Sequence, residues 1–174
     1  MENWSRTGCI IGPEPGLEYP PEQGECTRWR LKLAVALEEM CRQGVKNFFC
    51  GAAPGPELWA LEFLLEYREA FPQRKLALVA VLPYAKYPRC WPEQWRLRCE
   101  YALAQADEQI VLQQRQSVHW MRNYGYFMAG MSAHVLAVYR GSSSPAAYAA
   151  ERAKKLRRGS LVILSDFPVE PPTK

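Results

Sequence analysis

The run with the most chemical promise is Cys50-Gly51-Ala52-Ala53-Pro54-Gly55-Pro56-Glu57-Leu58-Trp59, small residues between an apolar stretch and a helix-forming one. Small residues let backbone approach a ligand closely, and a helix N-terminus presents unpaired N–H groups to an anion. Two features of the same run weigh against a phosphate cradle. Pro54 and Pro56 carry no N–H, which removes two donors from the turn. Glu57 would repel phosphate, although its carboxylate suits ribose hydroxyls. A purely local account also exists, with Gly55 as a helix N-cap, Pro56 in the first turn and Glu57 as an acid favoured by the dipole. Cys50 is a nucleophile by type, but no histidine is assigned to it by sequence.

Other reactive side chains are sparser. His119 precedes a helix and His134 opens an apolar strand, and both read as structural. Tyr84, Tyr87, Trp91, Trp95 and Tyr101 supply rings enough for a stacking wall, or more simply for the packed shoulder of a helix. The six cysteines, Cys9, Cys26, Cys41, Cys50, Cys90 and Cys99, include no C-x-x-C pair, so no metal site is expected. With no long apolar segment behind Met1 to Arg6 they read as reduced thiols of a cytoplasmic protein. The 22 basic and 18 acidic residues leave a net charge of +4. One local excess, Glu151 to Arg158, suits the C-terminal turn of a helix, where cations complement the dipole. Scattered charge of this kind predicts no duplex-DNA binding, and no apolar run reaches membrane-spanning length.

These residues have to be placed by elements, and the elements alternate. Strands are expected at Gly8–Gly12, Val45–Cys50, Leu76–Leu82, Gln109–Leu112, His134–Tyr139 and Leu161–Leu164. Helices are expected near Thr27–Arg42, with Leu31, Ala34, Val35 and Leu37 at helical spacing and Gly44 placed to end it. Further helices follow at Pro56–Ala70, from Pro92 onward, over about Val118–Met131, and at Pro145–Arg157. Six strands alternating with helices predict an α/β fold, a Rossmann-like three-layer sandwich with a mainly parallel sheet of about six strands. At 174 residues the chain accommodates one domain, expected over 1–167, with a frayed tail at 168–174. In open sheets of this kind ligands bind beyond the carboxyl ends of the strands. That singles out the turns after Ile11, Cys50, Leu82 and Tyr139.

At these turns the chain resembles the YpsA-like branch of the SLOG superfamily, Rossmann-like proteins related to the DprA and LOG groups. The similarity runs from about Gly8 to Leu164. Gly51 to Trp59 with Ala60-Leu61-Glu62 matches a family segment S-G-x-A-x-G-x-D-x-W-A-x-E. Trp91-Pro92-Glu93-Gln94 with Tyr101 and Gln105-Ala106-Asp107 forms a second block, and Ser132 through Tyr139 to Gly141 a third. The polar positions thin out. The family's T-G-H-R-P turn is Ile11-Gly12-Pro13-Glu14-Pro15 here, its motif serine is Cys50, its aspartate is Glu57, and its S-D pair is Ser132-Ala133. The family asparagine falls on Gly125 without a gap, or on Arg122-Asn123 with a two-residue insertion.

What the resemblance implies is a nucleotide or nucleotide-derived ligand held across these turns, with no cofactor. Gly12, Gly51, Ala52, Ala53, Gly55, Glu57, Arg122, Asn123, Gly141, Ser142, Ser143 and Ser144 are its expected contacts. Three readings stay open. The first is a sensor or adaptor for a nucleotide-like molecule, with a homo-oligomer allowed. The second is a LOG-like N-glycosidic hydrolase, a nucleoside phosphoribohydrolase, in which Glu57 alone is placed to act as acid or base. The P-G-G-x-G-T-x-x-E signature of those enzymes is absent. The third is a degenerate domain that binds a protein partner and no small ligand.

Overall fold

A computed structural model describes residues 4–13, 24–87, 91–139, 144–156 and 159–164, with backbone alone at 24–26. The expected tail at 168–174 lies outside these residues. Strands β1 (Thr7–Ile11), β2 (Asn47–Cys50), β3 (Ala77–Leu82), β4 (Glu108–Val111), β5 (His134–Val138) and β6 (Ser160–Leu164) form one sheet in the order β4-β3-β2-β1-β5-β6. Every pairing is parallel. The fold is the expected Rossmann-like α/β sandwich. The central strands read as near-continuous apolar runs because both their faces are covered, and Cys9, Ile10, Ile11, Leu136, Ala137 and Val138 are all fully buried.

Five helices connect the strands: α1 (Gly24–Arg42), α2 (Pro56–Ala70), α3 (Glu93–Gln105), α4 (Trp120–Met131) and α5 (Pro145–Lys155). Single 3-10 turns, unforeseen in the sequence, stand at Trp4–Arg6 and Pro72–Arg74. Right-handed crossovers put α1, α2 and α3 on one face of the sheet and α4 and α5 on the other. The packing agrees, since α1 lies against α2, α2 against α3, and α4 against α5. Among the described residues no helix is long and apolar enough to cross a membrane.

Local chemistry sets most of the boundaries. Gly44, at φ +96°, turns the chain out of α1, while the Val45 and Gly44 N–H groups donate to Met40 and Cys41 carbonyls. Pro56 occupies the first turn of α2, as expected. Pro92 stands one residue earlier than expected, as the N-cap of α3. Its carbonyl accepts from Arg96 N–H at 3.0 Å, the first intrahelical bond. One expectation about α1 changes in kind. Leu31 and Val35 share helical spacing with the core stripe, yet they lie outward at 66% and 60% exposure. The face that meets the sheet is Trp29, Leu33, Leu37 and Met40. The helix carries apolar residues on two sides, and spacing alone does not say which side is inward.

Candidate ligand site at the carboxyl end of the sheet

The strand order reverses beside β1. The chain steps outward through β2, β3 and β4, then returns to place β5 on the other side of β1. A crevice at such a reversal is where open α/β sheets hold ligands. Two described turns meet it, Gly12-Pro13 after β1 and Gly51 to Gly55 after β2, and Ser144 opens α5 after β5. Gly55 adopts φ +106° and ψ −141°, a backbone conformation that L side chains avoid, and from there Pro56 starts α2.

Glu57 is the centre of this arrangement, and it faces inward. It is 2% exposed. One carboxylate oxygen accepts from the Gly12 N–H at 3.0 Å, and the other accepts from the Ala53 N–H at 3.4 Å. The Tyr124 hydroxyl, from α4, donates to that second oxygen at 3.3 Å. One side chain thus ties the β1 turn, the β2 turn and α4 together. Burial disfavours the charged form and outweighs the hydrogen bonds from Gly12, Ala53 and Tyr124, so the Glu57 pKa rises to about 7. Burial, with the Glu57 charge next, holds the Tyr124 hydroxyl well above its ordinary value.

Gly51 is the residue that makes room. A Cβ there would fall 1.9 Å from Glu57 Oε2 and 2.2 Å from Tyr124 Oη. The small residue that suggested a ligand approaching the backbone therefore accommodates an internal carboxylate. The same carboxylate takes two N–H groups, those of Gly12 and Ala53, that an anion would otherwise use.

The cysteines at the site are not poised for attack. Cys50 is fully buried, and burial pushes its thiol far up. The Cys99 Sγ donates to the Ala52 carbonyl at 2.8 Å, and burial raises that thiol to about 12. Thiolates are the reactive form, so both are inert near neutrality. Cys9, Cys41, Cys50 and Cys99 are free thiols. Cys90 lies outside the described residues, and of Cys26 only the backbone is described.

The remaining expected residues divide. Gly12, Gly51, Ala52, Ala53, Gly55 and Glu57 come together. Ser144 caps α5, its hydroxyl accepting from the Ala147 N–H at 3.1 Å. Arg122 and Asn123 stand exposed in the first turn of α4. Gly141, Ser142 and Ser143 lie outside the described residues. Of the five rings considered for a stacking wall, Tyr84 packs edge-on against Tyr87 and Trp120, and Tyr87 packs edge-on against Trp91 and tilted against Trp120. Trp95 is buried elsewhere under Arg98, and Tyr101 is 72% exposed. His134 belongs to the opposite end of the sheet, where its ring bonds Ser160 Oγ at 2.7 Å and the Ser5 carbonyl at 3.1 Å. Tyr124 and Trp120 went unnoticed in the sequence, because a helix rich in aromatic residues gives no sign of which ring reaches a turn 67 residues away.

Comparison with known proteins places this geometry in a family. The YpsA model, described as the YspA SLOG family, matches residues 21–162. A UPF0398 protein of Ligilactobacillus salivarius (strain UCC118) is 26% identical over 105 residues, covering 58% of this chain. The aligned stretch spans 55% of that relative's length, about half.

Proposed function

Since the chain belongs to the YspA SLOG family, we propose that it binds a nucleotide-derived small molecule without hydrolysing it. The crevice beside the turns after β1 and β2 is the place for that ligand. Family membership supports a Rossmann-like, nucleotide-related protein. The observation that carries the non-catalytic reading is the commitment of Glu57. It is the acid that the hydrolase reading would use, it is 2% exposed, and its oxygens are engaged by Gly12, Ala53 and Tyr124. A general acid or base has to reach the reacting atoms. Here the carboxylate shapes the two turns, and the ligand approaches their backbone at Gly55 and the capped start of α5 at Ser144, both buried in the free chain.

Among the described turns few donors remain for a phosphate, because Pro54 and Pro56 have none and Glu57 holds the Gly12 and Ala53 N–H groups. Affinity is accordingly modest, on the order of micromolar to millimolar. Calorimetry against AMP, ADP, ADP-ribose and NAD tests this. Binding should appear within that range and disappear in Gly55→Val, with a thermal melt confirming that the variant is folded. Glu57→Gln should retain most of it. Silence across the panel at millimolar ligand would favour the ligand-free partner domain instead. Release of free base from a nucleoside monophosphate, lost in Glu57→Gln, would restore the hydrolase reading.

A further inference from the structure

Among the described residues the buried carboxylate of Glu57 is held by hydrogen-bond donors and by no cation. Its partners are the Gly12 N–H at 3.0 Å, the Ala53 N–H at 3.4 Å and the Tyr124 hydroxyl at 3.3 Å. The two backbone groups can only donate, whereas a tyrosine hydroxyl donates or accepts. A proton added at Oε2 is therefore accommodated by turning one rotor. The new O–H donates to Tyr124 Oη, and Oε1 keeps the Gly12 N–H. The titratable groups that feel the Glu57 charge are Tyr124 of α4, Cys50 of β2 and Cys99 of α3, with Tyr87 beyond Tyr124 and Cys9 of β1 beyond Cys50. Burial holds the Tyr124 hydroxyl and the Cys50 thiol well above their ordinary values and pushes the Cys99 thiol up to about 12. Those three stay neutral while Glu57 exchanges its proton.

Given the ligand crevice put forward above, we propose that an anionic ligand binds there together with a proton, taken from solvent onto Glu57 Oε2. The site then discriminates by charge. A neutral nucleoside enters whether Glu57 is ionised or not, while a phosphorylated one requires it neutral. Gly12 and Ala53 belong to the two turns whose backbone the ligand approaches, and the carboxylate is bonded to both. A second negative charge brought to those turns meets the first in a water-poor interior, where like charges repel strongly. Protonation removes that repulsion. It also slackens the hold on the Ala53 N–H, already the longest of the three bonds. In the free chain the Glu57 pKa of about 7 puts the exchange in the neutral range.

ADP-ribose and adenosine separate the two cases, since one carries a diphosphate, the other is neutral, and neither titrates near neutrality. Calorimetry on the full chain from about pH 6 to about pH 8 should show ADP-ribose affinity falling about tenfold, as the protonated fraction falls. Adenosine affinity should stay level. At the alkaline end, buffers of contrasting ionisation enthalpy should report uptake of about one proton with ADP-ribose and none with adenosine. Glu57→Gln has nothing to titrate, and its ADP-ribose profile should be level. Carbon-13 NMR of the Glu57 carboxyl reads the same event in the wild-type chain: ADP-ribose should move its titration to higher pH, and adenosine should leave it in place. A wild-type ADP-ribose profile as level as that of adenosine, an equal fall in folded Glu57→Gln, or a carboxyl titration unmoved by ADP-ribose overturns the proposal and leaves the ligand reading standing. Binding of neither ligand removes the ligand reading and this proposal with it.

Discussion

At the scale of single residues, the local roles of Gly55, Pro56 and Glu57 as helix-start chemistry were legible, and the structure keeps all three. The partners of Glu57 were not. Gly12 and Tyr124 are 45 and 67 residues away, and no spacing rule connects them. The sequence offered Glu57 to a ligand's ribose because an acid in the first turn of a helix usually faces solvent. Here the empty position at Gly51 admits it to the interior. The buried carboxyl has a consequence for stability against pH. Its folded pKa, about 7, exceeds its ordinary value of 4.5. Between those two values the folded protein keeps a proton that the unfolded chain has released, so this group's contribution is complete below about 4.5 and is lost as pH rises through about 7. The loss is on the order of a few kcal/mol. Glu57→Gln does not titrate. Urea unfolding at a series of pH values should therefore show wild-type stability falling relative to the variant across this window. Parallel profiles would contradict the assignment.

At the scale of elements, strand and helix identities were readable because buried parallel strands and amphipathic helices write different periodicities. Boundaries moved by one to three residues, where capping geometry decides and propensity does not. What spacing could not convey is how closely two helices approach. α4 and α5 pack tightly because Gly125 has no side chain: a Cβ there would fall 2.4 Å from the Pro145 carbonyl oxygen and 2.9 Å from the Ala149 nitrogen. Neither is a flexible side chain that could move aside. Gly125→Ala should cost at least about 2 kcal/mol through forced separation of the helices. Gly130, one and a half turns further along the same helix, has no described atom within 4 Å of its Cβ position. Gly130→Ala should gain about 0.5–1 kcal/mol from the lower conformational entropy of the unfolded chain. Chemical denaturation of the two variants checks both signs, and a shared sign would refute the packing account.

At the scale of the whole molecule, charge and topology speak to different partners. The net charge of +4 is dispersed, and even the basic stretch of α5 is partly engaged within the chain. Lys155 pairs with Glu151 at 2.7 Å, and the Arg152 guanidinium stands over the Tyr126 ring at 5.5 Å. Tight duplex-DNA binding needs clustered phosphate contacts. Fluorescence anisotropy at physiological salt should accordingly show no sub-micromolar complex. A salt-steep one, abolished by neutralising Lys154 and Lys155, would reverse that expectation. The two edges of the sheet differ in the same way. β4 begins with Glu108-Gln109, polar residues that discourage foreign strands, whereas β6 offers Val162 to its surroundings. The strand order also bears on how the chain is made. β1 is flanked by β2, which follows it within one helix, and by β5, whose approach is marked by Ala133 N–H donating to Thr7 Oγ1 across 126 residues. During vectorial synthesis the first four strands can assemble while β1, with Cys9, Ile10 and Ile11 destined for full burial, remains an open edge. Until His134 to Val138 leave the ribosome, the future centre of the sheet is its most adhesive margin. The nascent chain's exposure to mispairing and to chaperone capture is therefore greatest in the interval between translating β4 and translating β5.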